Sequence, residues 1–367
     1  MVWFIPLGIA AAIALLLSDD EEKKEENMAN CNKLFLDYEK KISLTANQKS
    51  KLRISRTALE EKIRNAITAK KELSFRGFYI QGSLSPRFET AVLKKDGTYD
   101  VDLGIYFRTK PKDVTCTTVQ KYILDALSKH TSGGAKHLNK CIRVVYAGDF
   151  DIDLPVYYQE EGDSVPHIAV KNGDWRKDDP KGTSEWFKEK KKNSEGQLVR
   201  VIKYMKVWAD KDIRGFKMPS GFALSVWAAE NFTKEQDRDD KALIETLKRI
   251  KSAVILGVNC YCPKEPKDNL TANLDSAQKD KFQKALNEFI EDAEKAISSK
   301  NQLEASKLWK KHLSNFPEGA DEDVDKKEQE LRVMTKTINS NLAKTATDGK
   351  IQAAVGVSNP KHRNFGG

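Results

Sequence analysis

Tyr99-Asp100-Val101-Asp102-Leu103 alternates acidic and apolar residues. In a strand the side-chain period of two sends both carboxylates to one face and Val101 and Leu103 to the other. One face is then free to hold cations while the other packs. Upstream, Gln81-Gly82-Ser83 reads as a Gly-Ser turn of the kind that cradles phosphates. Downstream, Asp149-Phe150-Asp151-Ile152-Asp153-Leu154-Pro155 repeats the alternation, with Asp149, Asp151 and Asp153 on one face and Phe150, Ile152 and Leu154 on the other. Two Mg²⁺ ions roughly 3.5–4 Å apart stabilise the attacking and leaving oxygens of an in-line phosphoryl displacement. Hard cations of this kind take carboxylate oxygens, and at least one acid beyond Asp100 and Asp102 is needed. Periodicity does not choose among Asp149, Asp151 and Asp153. Alone, a D-x-D pair is most often a solvated strand edge, and Gly-Ser is just a turn. Together and in this order they imply a metal site, because an acidic face with no cation repels itself. The expected chemistry is nucleotidyl transfer from nucleoside triphosphates.

Tyr99 to Phe107 (YDVDLGIYF), Asp149 to Tyr157 (DFDIDLPVY) and Gln81-Gly82-Ser83 resemble the bacterial cGAS/DncV-like nucleotidyltransferases, and within them the cyclic GMP-AMP synthase branch of CBASS anti-phage systems. The likeness continues through Trp186-Phe187, Gln197 to Arg200, Tyr204 to Asp210, Pro219-Ser220-Gly221, Asn269-Leu270, Trp309 and Phe316-Pro317, and covers about residues 30 to 367. It implies an α/β fold: a polymerase beta-like mixed-sheet nucleotidyltransferase core, a helical C-terminal lobe and a long N-terminal spine helix. The family's third metal-binding Asp sits in a hydrophobic-Asp-hydrophobic-Pro pattern, which falls on Asp153. The resemblance further implies Mg²⁺ or Mn²⁺ on Asp100, Asp102 and Asp153, ATP and GTP as substrates, and a cyclic dinucleotide that activates a downstream effector. It places Ser83 and the Gly82 backbone on the leaving phosphates. Two rival readings are a transferase acting on an RNA or protein acceptor, and a non-enzymatic nucleotide or RNA sensor of the same fold.

At 367 residues the chain is long enough for two lobes. A net charge of +9 suits a polyanionic substrate and equally an anionic surface, so it does not choose a partner; no sequence-specific nucleic acid is expected. Cys31, Cys116, Cys141, Cys260 and Cys262 are odd in number and scattered, and the Cys260-Tyr261-Cys262 pair lacks a second pair or a histidine at zinc spacing. Reduced thiols in the cytoplasm are the expectation. Val2 to Leu17 carries no charge and is followed by the mixed-charge run Asp19 to Glu26. This stretch lies just under the roughly 17-residue minimum for a bilayer span. It is taken as a single anchor that holds a cytoplasmic catalytic domain to the inner membrane, with an amphitropic segment, or a true start at Met28, as the other readings.

The expected organisation is an anchor and charged linker over 1–27, a catalytic core with the spine helix over 28–195, a helical lobe over 196–340 and a flexible tail over 341–367. Asn32 to Ala69 reads as one long or broken helix, and Thr118 to Lys129 as a helix within the strand-rich core. Asp178 to Gly182 reads as a loop, and Lys188 to Lys192 as a solvated face. From Gly196, Leu198, Val201, Ile202, Met205 and Trp208 form one apolar stripe, while Arg200 and Lys203 lie three apart on the other side and can meet one ligand. By the resemblance, Lys203 holds the triphosphate. Ser220 opens the next helix, either as a cap or, with the helix end, as a phosphate contact. Later helices are expected over about Asp239 to Leu256, Leu274 to Ser298 and Asn301 to Leu313. The chain ends His362-Arg363-Asn364-Phe365-Gly366-Gly367. Relatives ending similarly are joined through a terminal Gly by a ubiquitin-activating or conjugating-like enzyme, so Gly367 is the expected conjugation residue. Lacking a Cβ, such an end threads a narrow channel.

Overall fold

The computed structural model describes residues 29–210, 214–265, 267–321 and a few positions between 331 and 358. The proposed anchor at 2–17, Met28 and the terminal Gly367 lie outside the described residues. Among those described, no helix is long and apolar enough to cross a membrane.

The expected spine is broken. Helix α1 spans Asn32–Ile42 and α2 spans Ala46–Thr68. Thr45 ends the break with a capping box, its side chain accepting from the Gln48 N–H while Gln48 reaches back to the Thr45 backbone. The core then alternates β1 (Phe75–Gln81), a single 3₁₀ turn at Gly82–Leu84, β2 (Tyr99–Phe107), α3 (Cys116–Leu127), β3 (Ala135–His137), β4 (Cys141–Tyr146) and β5 (Phe150–Tyr158). Short strands β6 (His167–Ile168) and β7 (Arg176–Lys177) extend the sheet from β5.

Sheet order is β1-β2-β5-β4-β3. The β2–β5 pair is parallel and the other pairs are antiparallel, so the sheet is mixed as expected. The parallel step is bridged by α3, β3 and β4, in keeping with the long connection such pairs need. Its register sets Asp100 opposite Asp151 and Asp102 opposite Asp153. On the other face Val101, Leu103, Ile152 and Leu154 are buried against α2 and α3.

Residues 180–310 form α4 (Pro180–Lys191), α5 (Gln197–Trp208), α6 (Gly221–Asn231), α7 (Asp239–Ala253), α8 (Ser276–Ile297) and α9 (Gln302–Lys310). Asp178 to Gly182 is therefore not all loop. Asp179 caps α4 by accepting from the Gly182 N–H, and Pro180 sits at the first helical position, where its missing N–H costs nothing. The following run Lys188 to Lys192 is a solvated face as expected, exposed at all but Lys191, with surface pairs from Lys190 to Glu230 and Lys191 to Glu89.

Two apolar clusters result, one under the sheet and one among the helices. They do not divide at residue 195. Phe35, Tyr38 and Ile42 of α1 pack in the helical cluster, where Phe35 makes edge contacts with Tyr204, Trp309 and Phe316. Phe88 and Phe187 stack in the same cluster. In the tail, Lys344–Thr345 pairs antiparallel with both Ile351–Gln352 and Val357–Ser358, giving a small sheet of strands β8 to β10.

Candidate active site

A cleft of about 940 Å³ opens between the two clusters. One wall comes from the sheet and carries Gln81, Gly82, Ser83, Asp100, Asp102 and Asp153. The facing wall comes from α5 and α6 and carries Lys206, Gly221, Phe222 and Ser225.

Gly82 is forced by both conformation and space. Its φ is +60°, in the region that disfavours residues with a Cβ, and a Cβ there would run into the Asp102 carboxylate. The turn is tied down by the Ser85 N–H donating to Gly82 O at 3.1 Å and the Thr90 N–H donating to Ser83 O at 2.9 Å. Gln81 donates to the Tyr106 hydroxyl, and Tyr157 donates to Asp178 at 2.8 Å.

The three candidate ligands differ in their partners. Asp100 accepts from Lys94 Nζ at 2.9 Å. Asp153 takes a two-pronged contact from Arg143, Nε to Oδ1 and Nη2 to Oδ2, each 2.7 Å. Asp102 has no hydrogen-bond or ion-pair partner among the described residues. Although it keeps some exposed surface, protein crowds its carboxylate, and that desolvation, helped by Asp153 and Asp100, pushes its pKa up to about 6. At neutral pH it is ionised against the repulsion of its neighbours. Asp149 drops out: it precedes β5 and pairs with Lys51. Asp151 shares the face of Asp153 but does not line the cleft.

Three carboxylates on adjacent register positions are the right donors for hard divalent cations. No ready-made cage of three His, Cys, Asp or Glu side chains stands among the described residues. Two of the three acids are already committed to Arg143 and Lys94, while Asp102 alone is free of a direct cation. The donor set fits a divalent ion once those contacts yield.

Lys203 does not line the cleft. It is tied to Glu39 and Ser43 at the C-terminal end of α1. Arg200, three residues earlier, makes a two-pronged contact with buried Asp239 at 2.6 and 2.8 Å, so the two cations do not meet one ligand. The α5 cation that does face the cleft is Lys206, which the sequence reading missed. It donates to Thr90 O at 3.0 Å and Thr90 Oγ1 at 2.9 Å. By surface area Lys206 is only partly buried, yet atoms of both walls crowd its ammonium, and this desolvation lowers its pKa to about 7. Ser220 is exposed and caps α6 by accepting from the Ala223 N–H, while the adjoining Gly221 lines the cleft. The lining also carries a second acidic group, Asp178, Asp179, Glu265 and Asp268, joined to Gln81 through the Tyr157 hydroxyl. Desolvation, then mutual repulsion, raises the pKa of Asp178 and Glu265.

Residues 76–157 match the model of the family described as cyclic GMP-AMP synthase DncV-like, nucleotidyltransferase domain. The chain is 28% identical over 180 residues to a cyclic GMP-AMP synthase of Escherichia albertii, covering 46% of this chain and 40% of the relative. It is 24% identical over 163 residues to a cyclic AMP-AMP-AMP synthase of an Acinetobacter strain, covering 42% of this chain and 47% of that one. The matched part thus spans less than half the length of these curated relatives. Over the whole fold, the Vibrio cholerae di-nucleotide cyclase DncV in complex with GTP and 5MTHFGLU2 superposes with a TM-score of 0.68 at 17% identity, covering 79% of this chain and 97% of that one. Escherichia coli DncV in its 3′-deoxy GTP bound form gives 0.63 at 17% identity, covering 75% and 92%.

Proposed function

We propose that this chain, which belongs to the bacterial cGAS/DncV-like nucleotidyltransferases, is a metal-dependent synthase that joins ATP and GTP into a cyclic dinucleotide. The observation that carries the reading is the register of β2 with β5, which sets Asp102 beside Asp153 on one wall of the cleft. A cleft of about 940 Å³ is at the upper end for small-molecule sites and suits two nucleotides rather than one.

Asp100, Asp102 and Asp153 would hold Mg²⁺ or Mn²⁺. When bound, such ions supply charge stabilisation at phosphoryl oxygens and ease deprotonation of the attacking hydroxyl. The protein's own part is positioning. The Gly82-Ser83 turn lets the backbone approach the leaving phosphates, and Lys206 and the Gly221 end of α6 present positive charge from the opposite wall. Lys206 therefore takes, in our reading, the place first given to Lys203; Ser220 shapes the same helix end. The second acidic group, Asp178, Asp179, Glu265 and Asp268, offers acceptors for the N–H donors of a base. No residue need become covalently attached to a nucleotide.

Production of the cyclic nucleotide as a signal in anti-phage defence, with an effector downstream and attachment through Gly367 by a ubiquitin-activating-like partner, belongs to the same proposal. The test is incubation with each nucleoside triphosphate alone and in pairs, with Mg²⁺ or Mn²⁺, and mass spectrometry of the products. A cyclic GMP-AMP mass that requires both ATP and GTP is expected. Linear additions to RNA or protein, with no cyclic species, would overturn it.

A further inference from the structure

The contacts of the acids are unequal. Lys94 and Asp100 are a surface pair, their side chains 41% and 43% exposed, and pairs of this kind contribute little. Arg143 and Asp153 are 32% and 17% exposed, lie opposite each other on β4 and β5, and meet in the parallel two-pronged geometry that makes Arg–carboxylate contacts strong. Asp151 adds a weaker attraction, its carboxylate 3.8 Å from the same guanidinium. The strongest internal cation of the cleft thus sits on a residue read here as a metal ligand. While Arg143 holds both oxygens of Asp153, only their outer lone pairs are left for a divalent ion, and the guanidinium charge opposes that ion's approach. A guanidinium is equally matched to phosphate, and Arg143 lines the cleft that nucleotides would enter.

We propose that Arg143 is an exchangeable counter-ion: it holds Asp153 in the metal-free protein, and yields it to the metal by moving onto a phosphate of the incoming nucleotide. The inference rests on the metal-dependent reading above. Its consequence is cooperativity. Metal alone must displace the guanidinium without compensation, whereas metal arriving with a nucleotide provides the guanidinium with a new partner. By reciprocity each ligand then tightens the other. Arg143 is on this account a positioning residue, not one that reacts.

The test is Mn²⁺ binding, followed by electron paramagnetic resonance on the full-length protein, with and without a non-hydrolysable GTP analogue. In the wild type the analogue is expected to tighten Mn²⁺ by about tenfold or more beyond what the analogue binds by itself. Arg143→Met is expected to bind Mn²⁺ several-fold tighter than wild type in the absence of nucleotide, and to lose most of the coupling. Arg143→Lys keeps the charge without the fork and should fall between them. Circular dichroism identifies the variants that fold, and the Lys variant carries the test if the Met variant does not. Mn²⁺ binding that depends on Asp102 but is equal or weaker in the Arg143 variants would overturn the exchange while leaving the metal reading standing. Mn²⁺ binding indifferent to Asp102→Asn would overturn the metal reading and the exchange with it.

Discussion

Asp102 carries the strongest constraints of any residue in the cleft: it has no cation of its own, its carboxyl is pushed up to about 6, and the glycine beside it leaves no room for a methyl group. Asp102→Asn should abolish product, as should Asp153→Asn, while circular dichroism stays unchanged because Val101, Leu103, Ile152 and Leu154 are untouched. Asp151→Asn should be milder, within about tenfold of wild type, since that residue does not line the cleft. Equal loss in all three would show that the third ligand is misassigned. Gly82→Ala is expected to cost about 1–2 kcal/mol for the left-handed backbone and to lower turnover at least a hundredfold, read by melting temperature and by product formation. Much of this was legible beforehand, because period-two alternation fixes which side chains share a face. The choice between Lys203 and Lys206 was not. Both lie on the less apolar side of α5, and what separates them is Glu39, 164 residues away in the chain, which claims Lys203.

Helix α5 is held as firmly as it is placed. Buried Asp239, 1% exposed at its side chain, accepts from Arg200, Gln197 and the Tyr204 hydroxyl, all on α5, and its own N–H donates to Asn32 of α1. Removing one partner of a buried charge pair leaves the other uncompensated. Asp239→Asn should therefore destabilise the fold by about 3 kcal/mol, measured as a lower urea midpoint at unchanged slope. A change under about 0.5 kcal/mol would show that the network is solvated. Element boundaries were read to within two residues at α3, expected over Thr118 to Lys129 and found over Cys116–Leu127, where the cap at Thr115, which accepts from the Thr118 N–H, went unread. They were misread where the capping residues looked like a turn, as at Asp179-Pro180. The spine's break was only half legible: Thr45 and Gln48 spell a capping box, but the tie of Lys203 to Glu39 and Ser43 at the end of α1 joins residues about 160 apart in the chain.

Across the molecule, Lys206 links the lobes by reaching from α5 to Thr90 in the loop before β2. Folding lowers its pKa from the usual 10.5 to about 7. Between those values the unfolded chain binds a proton that the folded protein does not, so this group makes stability rise with pH from about 7 to about 10.5, with the full penalty below 7. Lys206→Met removes the penalty. The variant should melt a few degrees above wild type, on the order of 2–4 °C per kcal/mol, at pH 6, with the gap closing by about pH 10. A gap that does not change with pH would assign the effect to packing alone. The acid face could be read from the sequence because it is built from strands with strict alternation, while the mixed sheet followed from the family resemblance. The opposing wall could not, because the pairing of the lobes depends on contacts between residues far apart in the chain.

Helix α1 illustrates that distance in time as well as in space. Part of its surroundings is made late: the Ala29 N–H just before it donates to Ile297 O, Tyr38 to Ser314 O, and Gln302 to Asn30 O. On the ribosome the sheet can pair once β5 has emerged, and α5 can then cover one side of Phe35 and Tyr38, but their contacts with Trp309 and Phe316 must wait until the chain beyond α8 follows more than two hundred residues later. At roughly 5–20 residues per second that delay lasts on the order of ten seconds or more. The nascent chain would thus hold a complete acid face before α5 and α6 supply the facing wall of the cleft, and would finish enclosing α1 only after α8 and α9 have followed.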